Sequence, residues 1–593
     1  GESTVKGGKC NFLFHNDGKG VFSNASDLLP ENIKPGKQIA LMDYNDDGDL
    51  DLVLGCNDGS VTFLRNDGGN IGHFINMKLV GLRTGSAKNN YYGIGAKVEL
   101  RAGDLYQTKV VTDPNIHFGI GNRNKADVIR ITWTNGVPQN MFFPETNQSF
   151  IEQQMLKGSC PFLYAWNGNE YKFVKDILWR SGLGMPLGIM GGTTTYGFAD
   201  ASDDYIKIPG EVLQPKNGIY SLQVTDELWE TMYIDKIDLI AVDHPDSIDI
   251  FVEEQFTPPP FPGFDVYTIG KTYLPVSATD SYGNDLLPYI TEKDDKYLST
   301  FSSGKYQGIT EMQELILDPG DCAKGNDLLL FLQGWVFPTD ASINFAISQS
   351  QDIKVMAPVL QVINEKGEWE TVIDNLGFPM GKDKTVIANL SGKFLSKDRR
   401  IRIMTNMEIY WDKIFFSKGR TDAPVITNIV EPLSADLHFR GFSRLYRKGG
   451  RYGPHWFDYS VVDTIWRWRD LTGNYTRFGD VLPLLEEPDN KYVIINAGDE
   501  ITIEFNAENL PELKRGWKRD FLIRSVGWVK DGDMNTAEGN TVMPLPYHGM
   551  SSYPPGENDI YPDDEELQKY HREYNTRTVT IEDFRNAIKV NKE

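Results

Sequence analysis

Lys491-Tyr492-Val493-Ile494-Ile495-Asn496-Ala497-Gly498-Asp499-Glu500-Ile501-Thr502-Ile503-Glu504-Phe505 sets the fold class of this 593-residue chain. Two β-branched runs, 491–496 and 500–505, flank Ala497-Gly498-Asp499. Ile501, Ile503 and Phe505 alternate with polar neighbours, the period of a strand with one buried face. The short Gly-Asp connection predicts a β-hairpin. Runs of the same kind occur at 96–101, 127–133 and 221–224, and residues 162–173 read as a second hairpin turning at Asn167-Gly168. With 56 Gly and 31 Pro the chain is punctuated every few residues, as short strands joined by turns require. Helical signals are confined to the end: acids at 563–566 open a run to Tyr574, and Thr580 caps a segment from 581 to about 590. The expectation is an all-β, multidomain protein with a small helical tail.

Composition narrows the partners. Sixty Lys and Arg against 83 Asp and Glu give a formal charge of −23. That balance excludes nucleic acid or anionic lipid as a main partner, because both need clustered cations. No apolar run approaches the roughly 18–20 residues of a membrane helix. Cys10, Cys56, Cys160 and Cys322 lie far apart without a CxxC, so a zinc ribbon or haem attachment is unsupported. The numbering opens on Gly1 with no apolar leader. This is read as a targeting segment removed or a chain beginning mid-protein.

One repeat stands out. Phe12-Leu13-Phe14-His15-Asn16-Asp17-Gly18 returns as Phe63-Leu64-Arg65-Asn66-Asp67-Gly68, 50 residues on, each copy followed by a Phe (Phe22, Phe74). That spacing is typical of one propeller blade. A lone blade cannot bury both its faces. Residues 1–75 are therefore expected to be the C-terminal part of a β-propeller whose other blades lie upstream or on another subunit. Between the copies, Asp43-Tyr44-Asn45-Asp46-Asp47-Gly48-Asp49-Leu50-Asp51 fits D-x-N-x-D-G-x-x-D. Alternate spacing directs Asp43, Asn45 and Asp47 to one point, Gly48 permits the sharp turn, the Asp49 carbonyl adds an oxygen, and Asp51 closes the shell. Hard oxygen donors of this number suit Ca²⁺. An EF-hand would carry Glu at the twelfth position, where Leu54 stands.

The Asn-Asp-Gly/Phe units resemble FG-GAP (VCBS-type) repeats. Downstream, Tyr92-Gly93-Ile94-Gly95-Ala96-Lys97-Val98-Glu99-Leu100, Asp113-Pro114-Asn115-Ile116-His117-Phe118-Gly119-Ile120-Gly121 and Val128-Ile129-Arg130-Ile131-Thr132-Trp133-Thr134-Asn135-Gly136 resemble three segments of the UnbV/ASPIC domain. The stretch before Asp113 is shorter than that domain usually has. The order of modules is similar to the cartilage acidic protein family and its bacterial relatives. The resemblance implies an exported protein with Ca²⁺-stabilised repeats and attaches no catalytic activity.

The remaining chain is divided at 76–155 (UnbV/ASPIC-like β-domain), 156–325 (β-rich), 326–425 (β-sandwich, jelly-roll-like) and 426–593 (aromatic-rich β domain with an extended Pro-rich arm). Pro258-Pro259-Pro260 marks a change of unit. The run Ser342-Ile343-Asn344-Phe345-Ala346-Ile347 is expected to be a sandwich strand. Gly191-Gly192-Thr193 lacks the Lys of a phosphate loop. Arg and aromatic residues interleave from Arg444 to Arg469, with Trp456, Trp466 and Trp468 among them. They read first as a structural aromatic core, and otherwise as a protein interface or a carbohydrate platform. The run 528–536 reads as a second acidic turn, and 544–561 as an arm draped over a neighbour. His455 with Asp458 is the nearest thing to an acid/base pair, against a packing role, and no HExxH or G-x-S-x-G occurs.

These readings converge on an exported, Ca²⁺-binding, non-enzymatic interaction or scaffold protein within a larger extracellular or periplasmic assembly. Its expected partners are other protein subunits or a cell-surface or matrix component, with carbohydrate possible. The alternatives are an extracellular glycan- or polymer-acting enzyme with a carbohydrate-binding sandwich, and a cell-surface adhesin.

Overall fold

In the computed structural model, which describes residues 11–81, 89–134, 138–154, 161–190, 193–302, 304, 306–325, 327–464 and 469–583, the stretch 491–505 is two strands but not a hairpin. Val493–Asn496 pairs with the long strand Glu230–Pro245, from Thr231↔Asn496 to Ile234↔Val493. Asp499–Asn506 pairs instead between Ile219–Thr225 and Pro432–Phe439. Ala497-Gly498 therefore carries the chain from one sheet to another. Gly498 has φ +89°, and a Cβ there would stand 2.6 Å from the Phe439 ring. A side chain is excluded from this crossing twice over, by conformation and by space.

The two sheets share one apolar core. One runs Tyr171–Asp176, Phe162–Trp166, Ile219–Thr225, Asp499–Asn506, Pro432–Phe439, Gly479–Asp480. The other runs Ser202–Ile208, Trp517–Asp531, Glu230–Pro245, Ile426–Val430, with Val493–Asn496 also on Glu230–Pro245. Leu163, Leu222, Leu239, Ile495, Ile503 and Ile523 meet between them. Each such buried side chain contributes roughly 1.5–3 kcal/mol. Strands from 162–245 thus share both sheets with strands from 426–531, and boundaries at 156–325 and 426–593 cut through these sheets. Sequence distance hid this, because pairing partners in a sheet need not be neighbours in the chain.

Residues 246–425 are inserted between two strands that pair with each other, Glu230–Pro245 and Ile426–Val430. They hold two antiparallel sheets around a core that includes Leu317, Leu330, Leu360, Val386, Ile403 and Phe416. Strands Thr272–Tyr273, Ser277–Thr279 and Ile309–Asp318 belong to these sheets, so the unit begins well before 326. The expected strand at 342–347 is the helix Ala341–Ser348. The Asp340 carboxylate accepts the Ile343 N–H at 2.6 Å, and Ile343 and Ile347 fall on one buried face. A capping Asp with apolar residues four apart outweighs the β-branched composition.

The C-terminal helix Glu565–Glu573 follows its sequence signal, with Asp564 accepting the Leu567 N–H at 2.9 Å. Among the described residues strand amounts to 45% against 7% helix, with no closed barrel, which makes the class all-β. No described helix is long and apolar enough to cross a membrane. Residues 544–561 pack in part on their own chain. Leu545, Tyr547, Met550 and Tyr553 bury against Tyr233, Tyr492 and Trp528 of the same chain. The Lys530 ammonium donates to the Val542 and Met543 carbonyls and to the Tyr553 hydroxyl. Apolar residues spaced through a Pro-rich run give it a buried side, which the arm reading overlooked.

Candidate functional site

The acidic loop follows the strand Gly36–Met42 and runs into Asp51–Cys56; with Val61–Leu64 these form a three-stranded sheet. Beside it the hairpin Phe14–Asn16/Phe22–Asn24 is tied on by Asn11, whose Oδ1 accepts the Gly36 N–H. Asp46 and Gly48 take positive φ (56° and 90°), which folds the loop tightly. Asp43 accepts the N–H groups of Asp47 (3.1 Å) and Gly48 (3.0 Å). Asp47 accepts the Asp49 N–H and the Asn45 side-chain amide. Asp51 is fully buried and accepts the Tyr44 N–H within the loop at 2.9 Å and the Asn66 N–H beyond it at 2.8 Å. It ties the loop to the second Asn-Asp-Gly unit.

Asp49 departs from its expected role. Its side chain is buried: one oxygen accepts the Gly69 N–H at 3.1 Å, and the other, Oδ1, is without a partner. Burial, and then the Asp47 charge, push this carboxyl above the usual range. Among the described residues no three Asp, Glu, His or Cys side chains are gathered into a ready metal cage. The donors line the loop as four carboxylates and an amide, held by backbone hydrogen bonds. By chemistry this set fits Ca²⁺: it is all oxygen, carries excess negative charge, and includes a buried acceptor that no donor reaches. Asp43, Asn45, Asp47, Asp49 and Asp51 would hold the ion, whose charge would neutralise their mutual repulsion.

The two Asn-Asp-Gly units are both Asx turns, with Gly18 N–H on Asn16 and Gly68 N–H on Asn66. They diverge immediately afterwards. Phe22 returns along the hairpin, whereas Phe74 enters the strand His73–Val80, which leaves this sheet. The Phe74 ring lies against the loop, so that a Cβ on Gly48 would stand 2.0 Å from it. On Phe74 stacks His117, at 6.0 Å between centroids, with Nδ1 2.7 Å from Asn76 Oδ1. His73–Val80 is the central strand of a sheet between Gln148–Gln153 and Ile116–Gly121. Opposite lies the sheet Pro138–Phe142, Val128–Thr132, Lys97–Ala102, Leu105–Val110. Ile75, Leu79, Val98, Phe118, Ile129 and Trp133 fill the space between.

Residues 85–154 match the ASPIC and UnbV family. No curated protein and no solved structure matches the chain. The geometry explains the quoted segments of the ASPIC and UnbV module. Gly93 and Gly95 have positive φ, and a Cβ on Gly93 would press on Leu79 and Trp133. Asn90 closes that turn through the N–H and C=O of Ile94. The central strand His73–Val80 precedes the matched residues, so the three-stranded sheet is completed by the segment leaving the acidic loop.

Elsewhere the predicted sites separate. Three residues apart on the strand His455–Asp463, His455 and Asp458 face opposite sides. His455 is buried, with a pKa held well below its ordinary value by burial, and Asp458 accepts from Ser460. Phe457 stacks on Phe162 at 4.1 Å and Tyr459 lies against Tyr164 and Tyr171, so this part of the aromatic run is core. Trp466 and Trp468 lie outside the described residues, as do Cys10, Cys160, Gly191 and Gly192. Cys56 and Cys322 are buried free thiols. In the turn after 528, the Asp533 carboxylate accepts from Ser342 and from Asn535 N–H. A cleft of about 570 Å³ opens beside the aromatic hairpin, lined in part by Tyr171, Tyr446, Lys448 and Trp456. Glu254 and Asp383 in its walls are ion-paired with Lys175 (2.6 Å) and Lys293 (2.8 Å).

Proposed function

We propose that this chain is an exported, Ca²⁺-binding scaffold, a non-catalytic component of a larger extracellular or periplasmic assembly. The supporting observation is the bare blade. The strand Gly36–Met42 is exposed along its whole length, Ile39 is 68% exposed, and Phe14 and Phe22 are 57% and 64% exposed. Apolar residues concentrated on one small sheet and its hairpin call for a covering surface. Further FG-GAP-type blades, in the same protein or on a partner subunit, have the matching period and shape. The Ca²⁺ loop stiffens the last blade where it feeds the ASPIC and UnbV module. Native mass spectrometry of the protein isolated from its source, with and without EDTA, tests this. The expected species is heavier than one chain and loses Ca²⁺ mass in EDTA; a lone chain without Ca²⁺ would overturn the proposal.

A second reading, carbohydrate binding, rests on the 570 Å³ cleft. Tyr446 is exposed there, and the Trp456 indole N–H is buried without a partner. An aromatic face beside an unused donor suits a sugar ring. Binding on a glycan array that W456A abolishes is its expected signature, and silence across the array would remove it.

A further inference from the structure

Where the two-sheet body meets the inserted unit 246–425, the packing leaves a pocket of about 290 Å³. On the body side the chain leaves the strand Tyr171–Asp176, takes a positive φ at Leu178 (57°) and brings Trp179, Arg180 and Ser181 to the pocket wall. Asp204, fully buried in the strand Ser202–Ile208, fixes this turn. Its Oδ2 accepts the Trp179 N–H at 3.2 Å, and its Oδ1 accepts from Arg180 Nη1 at 2.6 Å. Ile309, Phe337 and Met407 line the pocket from the insert. Phe256 and Phe378, also in the wall, stack at 5.0 Å, and the Trp179 ring stands edge-on to both.

Protein interiors leave few voids larger than a water molecule, so an opening of this size at a junction calls for an occupant. Apolar cavities of about 150 Å³ stay dry and take up benzene. Small-molecule sites start at about 300 Å³ and favour the junctions between units. Two polar atoms of the wall residues are left over. Arg180 Nε and Ser181 Oγ have no partner, on residues only 2% and 4% exposed. The rest of the Arg180 guanidinium is committed: Nη1 to Asp204 and the Asp203 carbonyl, Nη2 to the Gln255 carbonyl. Its charge is therefore balanced while one N–H stays unused. Among the described residues, Asp531 is the other charged residue lining the pocket. An anionic ligand would lose its hydration there and meet no unpaired cation. A neutral acceptor would satisfy the leftover donors without that cost.

We propose that this pocket binds a small, uncharged aromatic molecule of about two rings that carries a carbonyl or similar acceptor. Its rings would lie among Trp179, Phe256, Phe378 and Met407, where edge-on and stacked ring contacts and a thioether are all on offer. Its acceptor would take the Ser181 hydroxyl and Arg180 Nε. The site shares no residue with the acidic loop or with the aromatic cleft and stands independently of both.

The probe is 6-propionyl-2-(dimethylamino)naphthalene, an uncharged two-ring ketone whose emission moves to the blue in apolar surroundings, titrated into the full chain. Saturable binding of one probe per chain with blue-shifted emission is expected; no saturable binding would overturn the proposal. A357L enlarges a half-buried side chain of the wall and should weaken binding at least tenfold. Unchanged affinity would put the probe elsewhere and reject the pocket. S181A should weaken the ketone at least threefold while leaving 2-(dimethylamino)naphthalene, which lacks the carbonyl, within twofold. Equal effects on the two would reject the acceptor contact. The anion 6-(dimethylamino)naphthalene-2-carboxylate should bind at least tenfold more weakly than the ketone, and equal or tighter binding would overturn the uncharged class. Should A357L fail to fold, the S181A comparison decides for or against the pocket on its own.

Discussion

The molecule carries two acidic groups that differ in every respect except charge. The loop at 43–51 takes its donors from nine consecutive residues; Asp43 and Asp47 accept from the loop's own backbone N–H groups, and Asp49 and Asp51 also accept from Gly69 and Asn66. The group at the sheet crossing, Asp226, Asp470 and Asp499, draws on residues from 226 to 499, buried and held between two sheets. In the first, local spacing builds the site and the fold merely seats it on Phe74. In the second, the fold gathers the acids and local spacing says nothing. The outer acids of the loop, Asp43 and Asp47, bear little on stability, whereas acids at a crossing are part of the framework itself.

The largest effect that would break this contrast concerns Asp499. Removing it by D499A takes the carboxylate from the half-buried Arg577 and leaves the buried Asn496 N–H unpaired, and denaturant titration should give a loss of about 2–4 kcal/mol. A loss below about 1 kcal/mol would place the crossing on a par with a surface turn. A buried charge of opposite sign sharpens the point. Burial lowers the Lys530 pKa to about 7 against an ordinary value of 10.5, with Glu538 opposing. Between those values the unfolded chain binds more protons than the folded one, so stability rises with pH by up to about 1.4 kcal/mol per unit. That gain is complete above about 10.5 and lost as pH falls through 7. K530M should flatten the slope between pH 7 and 10; an unchanged slope would deny that burial controls it. In the loop, G48A drives a Cβ into the Phe74 ring at a positive φ and should cost about 1–3 kcal/mol, seen as an earlier melting step. The smallest change is D47N. It should alter stability by under about 1 kcal/mol in EDTA while removing the Ca²⁺-dependent rise in melting temperature expected of the wild type.

What could be read from the sequence follows the same division. The Asn167-Gly168 hairpin, the Asp564-capped helix and the three ASPIC and UnbV segments depend on neighbours within a few residues, and all appear where their patterns place them. The stretch 491–505 was legible as strands but not in its pairing, because a two-residue link joins strands of one sheet or of two equally well. Ile343 and Ile347 carried a helix that β-branched composition disguised. Asp49 was assigned a carbonyl role, and its buried side chain became visible only once Gly69 was placed opposite. Asp226 had no motif, since its companions Asp470, Asn496 and Asp499 stand more than two hundred residues away. A buried acid in a short turn beside a Trp, as in Asp226-Glu227-Leu228-Trp229-Glu230, was the faint signal available.

The central claim is that the acidic loop is a Ca²⁺-set seat for the ASPIC and UnbV module. Hydrogen exchange of the strands His73–Val80 and Ile116–Gly121, measured by mass spectrometry in Ca²⁺ and in EDTA, tests it most directly. Slower exchange of both strands in Ca²⁺, with the difference abolished by D47N, is the predicted result. Equal exchange in the two conditions, or a difference that survives D47N, would contradict it.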